Sequence, residues 1–171
     1  MENEQLLNNG EKMFALMQEL WPICRSITGA GVRETLTIIS KQLPEMVTYE
    51  IPTGTPCFDW EVPKEWAISD AYIIDPNGRK IVNFSDTNLH VVNYSIPIDM
   101  ELELEELETH LHSLPEQPDA VPYVTSYYNE IWGFCISHKL RKSLIPGRYK
   151  VRIDSELKVG KLTYGEVLLP G

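Results

Sequence analysis

Asp75-Pro76-Asn77-Gly78 constrains the fold of this chain more than any other four residues. The quartet lies inside "AYIIDPNGRKIVNF", between two β-prone runs. Proline fixes its own φ, aspartate and asparagine bond to nearby backbone groups, and glycine adopts left-handed dihedrals freely, so the four favour a tight reversal. Two β-prone runs joined by such a reversal form a β-hairpin. Strand patterns recur elsewhere. Val47, Tyr49 and Ile51 alternate with polar neighbours, and so do Tyr149, Val151 and Ile153 in "RYKVRID". "LHVVNYSIPI" reads as a further strand with Pro97 near its end. "KLTYGEVLLPG" reads as a last strand running into Pro170-Gly171.

Helical spacing appears in three other places. Met13, Met17 and Leu20, with Phe14 and Trp21 beside them, form a stripe that Pro22 ends. Val32, Leu36, Ile39 and Leu43 share one face of a second helix, which Pro44 stops. In "MELELEELETHLHSL", Leu104, Leu107, Leu111 and Leu114 fall on one helical face, with glutamates first and histidines last, as the helix dipole favours. A proline-rich connector, "PEQPDAVP", follows, and "HKLRKSL" fits a short helix. Two leading helices, a run of strands, an acidic helix and more strands describe an α+β or mixed α/β chain.

Bulk properties bound its partners. Among 171 residues, 15 basic and 25 acidic side chains give a net charge of −10. That sign disfavours nucleic acid and anionic membrane surfaces. No apolar run approaches the roughly 20 residues of a membrane helix. The polar, acidic start "MENEQLLNNGEK" lacks the layout of a signal peptide. Cys24, Cys57 and Cys135 are odd in number and widely spaced, which suits a reducing compartment and gives no zinc-ribbon spacing. A cytoplasmic protein is expected.

Reactive groups concentrate in "PYVTSYYNEIWGFCISH", Pro122 to His138. Tyr123, Tyr127, Tyr128 and Trp132 fit either a packed core or a stacking wall for a sugar or peptide. Ser126 has no base at a diagnostic spacing, and Cys135, between Phe134 and Ile136, reads as a small buried residue. His110 and His112, two apart on a helix, do not share a face and would not chelate one ion. His90 and His138 each fit a structural role or a cleft. Arg25, in "WPICRSITG", can fork onto a carboxylate, within the protein or on a ligand. Arg33 either joins it or faces water. No HExxH, GxSxG, GxxxxGK[ST] or GxGxxG motif occurs.

Four longer strings occur together: "LWPICRSITGAGVRETL", "EIPTGTPCFDWEVPKEW", "LHVVNYSIPID" and "LPEQPDAVPYVTSYYNEIWGFCISH". With them the chain resembles, over nearly its whole length, the N-terminal part of a bacterial family of aminopeptidase-like proteins. The resemblance implies part of an α/β core of the co-catalytic zinc aminopeptidase type, interrupted by an inserted domain of unknown function. Residues 1–61 would supply the first core helices and strand, 62–157 the inserted β-rich module with one acidic helix, and 158–171 a returning core strand. It also implies zinc for the full-length family, with no cofactor, no catalytic residue and no metal ligand in this chain. The family's ligands come after the strand that ends in Pro170-Gly171, so the chain reads as a truncated portion, inactive alone. Arg25, His90, Tyr127 and Trp132 are the expected substrate contacts. A peptide or small-molecule substrate would be the ligand of the full-length protein. An exposed or dimer-buried core face is expected near Leu168, giving a route to a homo-oligomer. The alternative is a non-catalytic module that binds peptide or saccharide, or that mediates oligomer contacts.

Overall fold

The computed structural model describes residues 2–169, with side chains from residue 8 onward. In chain order its elements are α1 (Glu2–Leu20), α2 (Ala30–Ser40), β1 (Val47–Pro52), β2 (Pro56–Cys57), β3 (Trp60–Glu61), β4 (Glu65–Ile74) and β5 (Lys80–Asn83). A single 3-10 turn at Asn88–His90 precedes β6 (Ile98–Glu103), α3 (Leu104–Glu108), β7 (Leu111–His112), β8 (Phe134–Cys135), α4 (His138–Lys142), β9 (Arg148–Lys158) and β10 (Lys161–Glu166). The class is α+β.

An antiparallel four-stranded sheet, ordered β5-β4-β9-β6, forms the centre. Its hairpin β4–β5 turns at the expected quartet. Asp75 accepts hydrogen bonds from the Asn77 and Arg79 backbone N–H groups (3.0 and 2.8 Å) and from the Arg79 guanidinium, while Gly78 sits at φ 80°. Alternation then sorts the faces. Ala71 and Ile73 of β4, Tyr149, Val151 and Ile153 of β9, and Ile98 and Leu102 of β6 are buried on one side. An irregular layer containing Val91, Tyr94, Leu107, Phe134 and Ile136 covers them.

The acidic run departs from the expected helix. Residues 98–103 are strand β6, and the helix keeps only Leu104–Glu108. Asp99, Glu101 and Glu103 lie opposite Arg152, Lys150 and Arg148 of β9. Arg152 contacts Asp99 at 2.9 Å and Arg148 contacts Glu103 at 3.4 Å. Opposite charges facing across neighbouring strands favour that register, and the Ile98, Met100, Leu102 alternation outweighs the leucine spacing. "LHVVNYSIPI" is also not a regular strand. It makes isolated bridges at Val91 and Asn93, and Tyr94 at φ 69° breaks the extended path.

A second, two-stranded antiparallel sheet pairs β1 with β10, bringing together Val47–Pro52 and Lys161–Glu166. Helix α2 packs on it through Leu36, which approaches Gly165. Arg33 of α2 donates to both oxygens of Glu65 at the start of β4 (2.8 and 2.9 Å), and the Lys161 N–H at the start of β10 donates to the same carboxylate (2.9 Å). That carboxylate ties the two sheets together. The expected stripe on α1 lies on a helix but does not pack: Met13, Phe14, Met17 and Trp21 are exposed, as are Tyr49, Tyr164, Leu168 and Leu169. Pro170 and Gly171 lie outside the described residues.

Candidate functional site

The short β2–β3 hairpin and the 125–130 turn face each other across a cleft of about 410 Å³. Trp60, Tyr94, Tyr127 and Tyr128 line it, with Glu61, Lys64 and Glu130 among its charged groups. The rings form a series that runs from solvent to core. Trp60 and Tyr128 have centroids 6.0 Å apart, Tyr128 meets Tyr94 edge-on at 4.8 Å, and Tyr94 stacks on Trp66 at 5.9 Å. Edge-on and offset contacts of this kind are the favoured aromatic geometries. The inner end is fixed: Trp66 donates its indole N–H to the Ser95 carbonyl at 2.9 Å, and Tyr94 shares a hydrogen bond with the Thr28 hydroxyl. Burial pushes the Tyr94 and Tyr128 hydroxyls up in pKa, against the opposing hydrogen bond that Thr28 makes to Tyr94.

Backbone strain concentrates at the same place. Tyr94, Tyr127 and Tyr128 have φ of 69°, 50° and 69°, and Phe58 at the hairpin tip has φ 56°. The left-handed region costs a residue with a side chain roughly 1–2 kcal/mol, and such strain persists only where surrounding contacts impose it. Here Ser126 supplies them. It is buried, its N–H donates to the Asn93 carbonyl (3.0 Å), its hydroxyl accepts from the Tyr128 N–H (3.1 Å), and its carbonyl accepts from the Asn129 side chain (2.9 Å). Ser126 therefore holds the turn that presents Tyr127 and Tyr128. Tyr127 leaves 78% of its surface to solvent.

Of the four residues expected to contact substrate, Tyr127 alone lines this cleft. Arg25 lines a separate hollow of about 170 Å³ with Trp21, Asn93 and Tyr123, and donates to the Leu20 carbonyl at 2.9 Å. His90 ends the 3-10 turn, with Nδ1 at 2.8 Å from the Cys135 carbonyl. Trp132 stacks on His110 at 3.6 Å and packs edge-on to Phe134. The structure does not bring these four together. Trp60, Tyr94, Glu61 and Glu130 were not singled out from the sequence. An Asp59-Trp60-Glu61 triplet between prolines was the available signal for two of them.

The donor chemistry does not fit a zinc centre. Among the described residues no group of three or more His, Cys, Asp or Glu side chains converges to hold an ion. His90 and His110 turn Nδ1 to backbone carbonyls, and His138 turns it to the Ser113 hydroxyl at 3.0 Å. Cys135 is fully buried, and burial pushes its thiol up to about 12. A thiol so raised is not a nucleophile at neutral pH. No helix among the described residues is long and apolar enough to cross a membrane.

Comparison with known proteins adds three findings. The profile of a domain of unknown function, DUF2172, matches residues 65–156. A Clostridium acetobutylicum protein described as "Putative polysaccharide biosynthesis protein with aminopeptidase-like domain" is 45% identical over 99% of the chain. A crystal structure described as a "putative peptidase" from the same organism superimposes with a TM-score of 0.87 at 46% identity, covering 95% of the chain. The chain spans 39% of the length of that curated relative and 39% of that solved chain.

Proposed function

The chain belongs to the DUF2172 family, and we propose that it is the N-terminal portion of a zinc-dependent aminopeptidase-like hydrolase, contributing substrate contacts rather than metal ligands. The carrying observation is the 45% identity, over 99% of this chain, to a protein whose description includes an aminopeptidase-like domain. Topology supports the division into 1–61 with 158–171, and 62–157. Strands β1 and β10 pair with each other although the whole four-stranded sheet lies between them in sequence. In this reading their exposed apolar residues, Val47, Tyr49 and Tyr164, with Leu168 just beyond β10, form the face that meets the rest of the peptidase core. In this reading the zinc ligands belong to that other part. Tyr127 contacts substrate at the aromatic cleft and Arg25 at the smaller hollow, while His90 and Trp132 position their neighbours. The compartment is cytoplasmic.

The test uses the longer protein, loaded with zinc and assayed on aminoacyl chromogenic substrates. Turnover that a chelator abolishes and zinc restores supports the reading. Absence of both zinc uptake and turnover removes it. A second reading, a binding or oligomerisation module without chemistry, draws on the exposed cleft and on the exposed β1–β10 face. Light scattering coupled to size exclusion distinguishes the oligomer branch.

A further inference from the structure

We propose that the aromatic cleft binds a basic side chain, lysine or arginine, presented by a peptide. Three observations converge on that ligand. The first is the wall: Trp60, Tyr127 and Tyr128 offer ring surface at the mouth of the cleft. The face of an aromatic ring is its electron-rich side, and it attracts ammonium and guanidinium groups. The second is charge. Glu61 and Glu130 both line the cleft and both are exposed, and no ion pair among the described residues engages either. Lys64 is the single cationic residue in the lining, which leaves the two carboxylates one charge in excess, in a chain of net charge −10. A field of that sign draws cations in and repels uronates, phosphates and acidic peptides. The third is rigidity. Ser126 holds the backbone of the strained turn and Tyr94 holds the Tyr128 ring edge-on, so that ring is placed before a ligand arrives.

A neutral saccharide fits less well. Its hydroxyls can pair with Glu61, Glu130 and Lys64, but an uncharged ligand leaves the excess negative charge of the cleft unmatched. The peptide part of the proposal rests on the aminopeptidase-like reading above. The cationic part rests on the cleft itself.

The experiment measures binding of tripeptides blocked at both ends, with glycine on either side of a central arginine, norleucine or glutamate. Blocked ends remove the α-amine on which an aminopeptidase acts, so binding is read independently of turnover in the longer protein. Failure here leaves the hydrolase reading standing, and failure of the zinc assay leaves the cationic part of this one standing. Isothermal titration of the 171-residue chain, with tryptophan fluorescence as a second readout, gives the affinities. The arginine peptide is expected to bind at least about 10-fold more tightly than its norleucine twin, with the preference falling as salt rises. The glutamate peptide is expected to bind more weakly than either. Glu130→Gln and Glu61→Gln should each reduce the arginine preference about 3-fold or more. Tyr127→Gly removes a ring while leaving a residue at home in the left-handed region, so it should keep the fold by circular dichroism and still lose several-fold in affinity. Equal binding of the arginine and norleucine peptides overturns the proposal. So does the absence of detectable binding, a preference that survives in all three variants, or tighter binding of a neutral hexasaccharide than of the arginine peptide.

Discussion

Replacing Glu65 with glutamine tests the junction between the two sheets. The carboxylate receives two hydrogen bonds from Arg33 and one from the Lys161 N–H, all between 2.8 and 2.9 Å. Only 9% of its side chain is exposed, against 37% for Arg33. Gly160 makes the approach possible, because a Cβ there would stand 2.5 Å from the Glu65 side chain. Breaking a fully buried pair costs about 3–5 kcal/mol. Water reaches Arg33 and recovers part of that, so Glu65→Gln should cost about 2–3 kcal/mol. For a chain of this size each kcal/mol moves the Tm by roughly 2–4 °C, giving a fall of about 5–10 °C at neutral pH. The pH dependence identifies the cause. The Arg33 hydrogen bonds hold the Glu65 carboxyl below its usual range, burial opposes them, and the Lys161 N–H adds to the lowering. A depressed folded-state value means the stabilisation is complete above the ordinary glutamate pKa of about 4.3 and is lost as pH falls through the lower folded value. Thermal melts of both proteins across this range should show a gap that is widest near neutrality and narrows below about pH 4. A gap under about 1 °C at pH 7, or one that stays constant into strong acid, would refute an ionic tie between the sheets.

Two glycines separate backbone strain from packing, because an added Cβ at either meets nothing within 4 Å. Gly78→Ala, at φ 80° in the β4–β5 turn, should cost about 1–2 kcal/mol by chemical denaturation. Gly10→Ala, inside α1, should stabilise by about 0.5–1 kcal/mol if α1 melts with the rest of the chain. The three cysteines should react in order of burial with an aromatic disulfide at mildly alkaline pH. Exposed Cys57 goes first, half-buried Cys24 with its raised thiol pKa goes slowly, and Cys135 waits for unfolding. Rapid labelling of Cys135 in the folded chain would contradict the packing around Phe134.

The hairpin at Asp75 was legible because its determinants are local. One aspartate closes the turn with two backbone N–H groups two and four residues on, and one glycine takes the left-handed corner. The acidic run was ambiguous because two periods coexist in it. Leu104 and Leu107 obey the helix, while Ile98, Met100 and Leu102 obey the strand. The strand pattern prevails by pairing with β9, about fifty residues further along the chain, in a register that no local pattern announces. Helix α1 shows the converse: its apolar stripe specifies a helix but not an occupant for its face.

The cleft was legible only as far as Tyr127 and Tyr128, two of the aromatic residues in one dense stretch. Pooling Tyr127 with Trp132 followed from their closeness in sequence, yet the Ser126 turn presents Tyr127 at the cleft while Trp132 packs on His110. Trp60 and Tyr94 come from two other segments and meet Tyr128 through space. Three tyrosines at positive φ are a conformation that local preference argues against. For Tyr94 and Tyr128 the compensating contacts are visible: the edge-on ring pair, the Trp66 stack and the Thr28 hydroxyl. Tyr127, with most of its ring in water, has no comparable packing. Packing alone therefore accounts for two of the three strained tyrosines. The third is held through the backbone of the Ser126 turn, which leaves its ring open to the cleft.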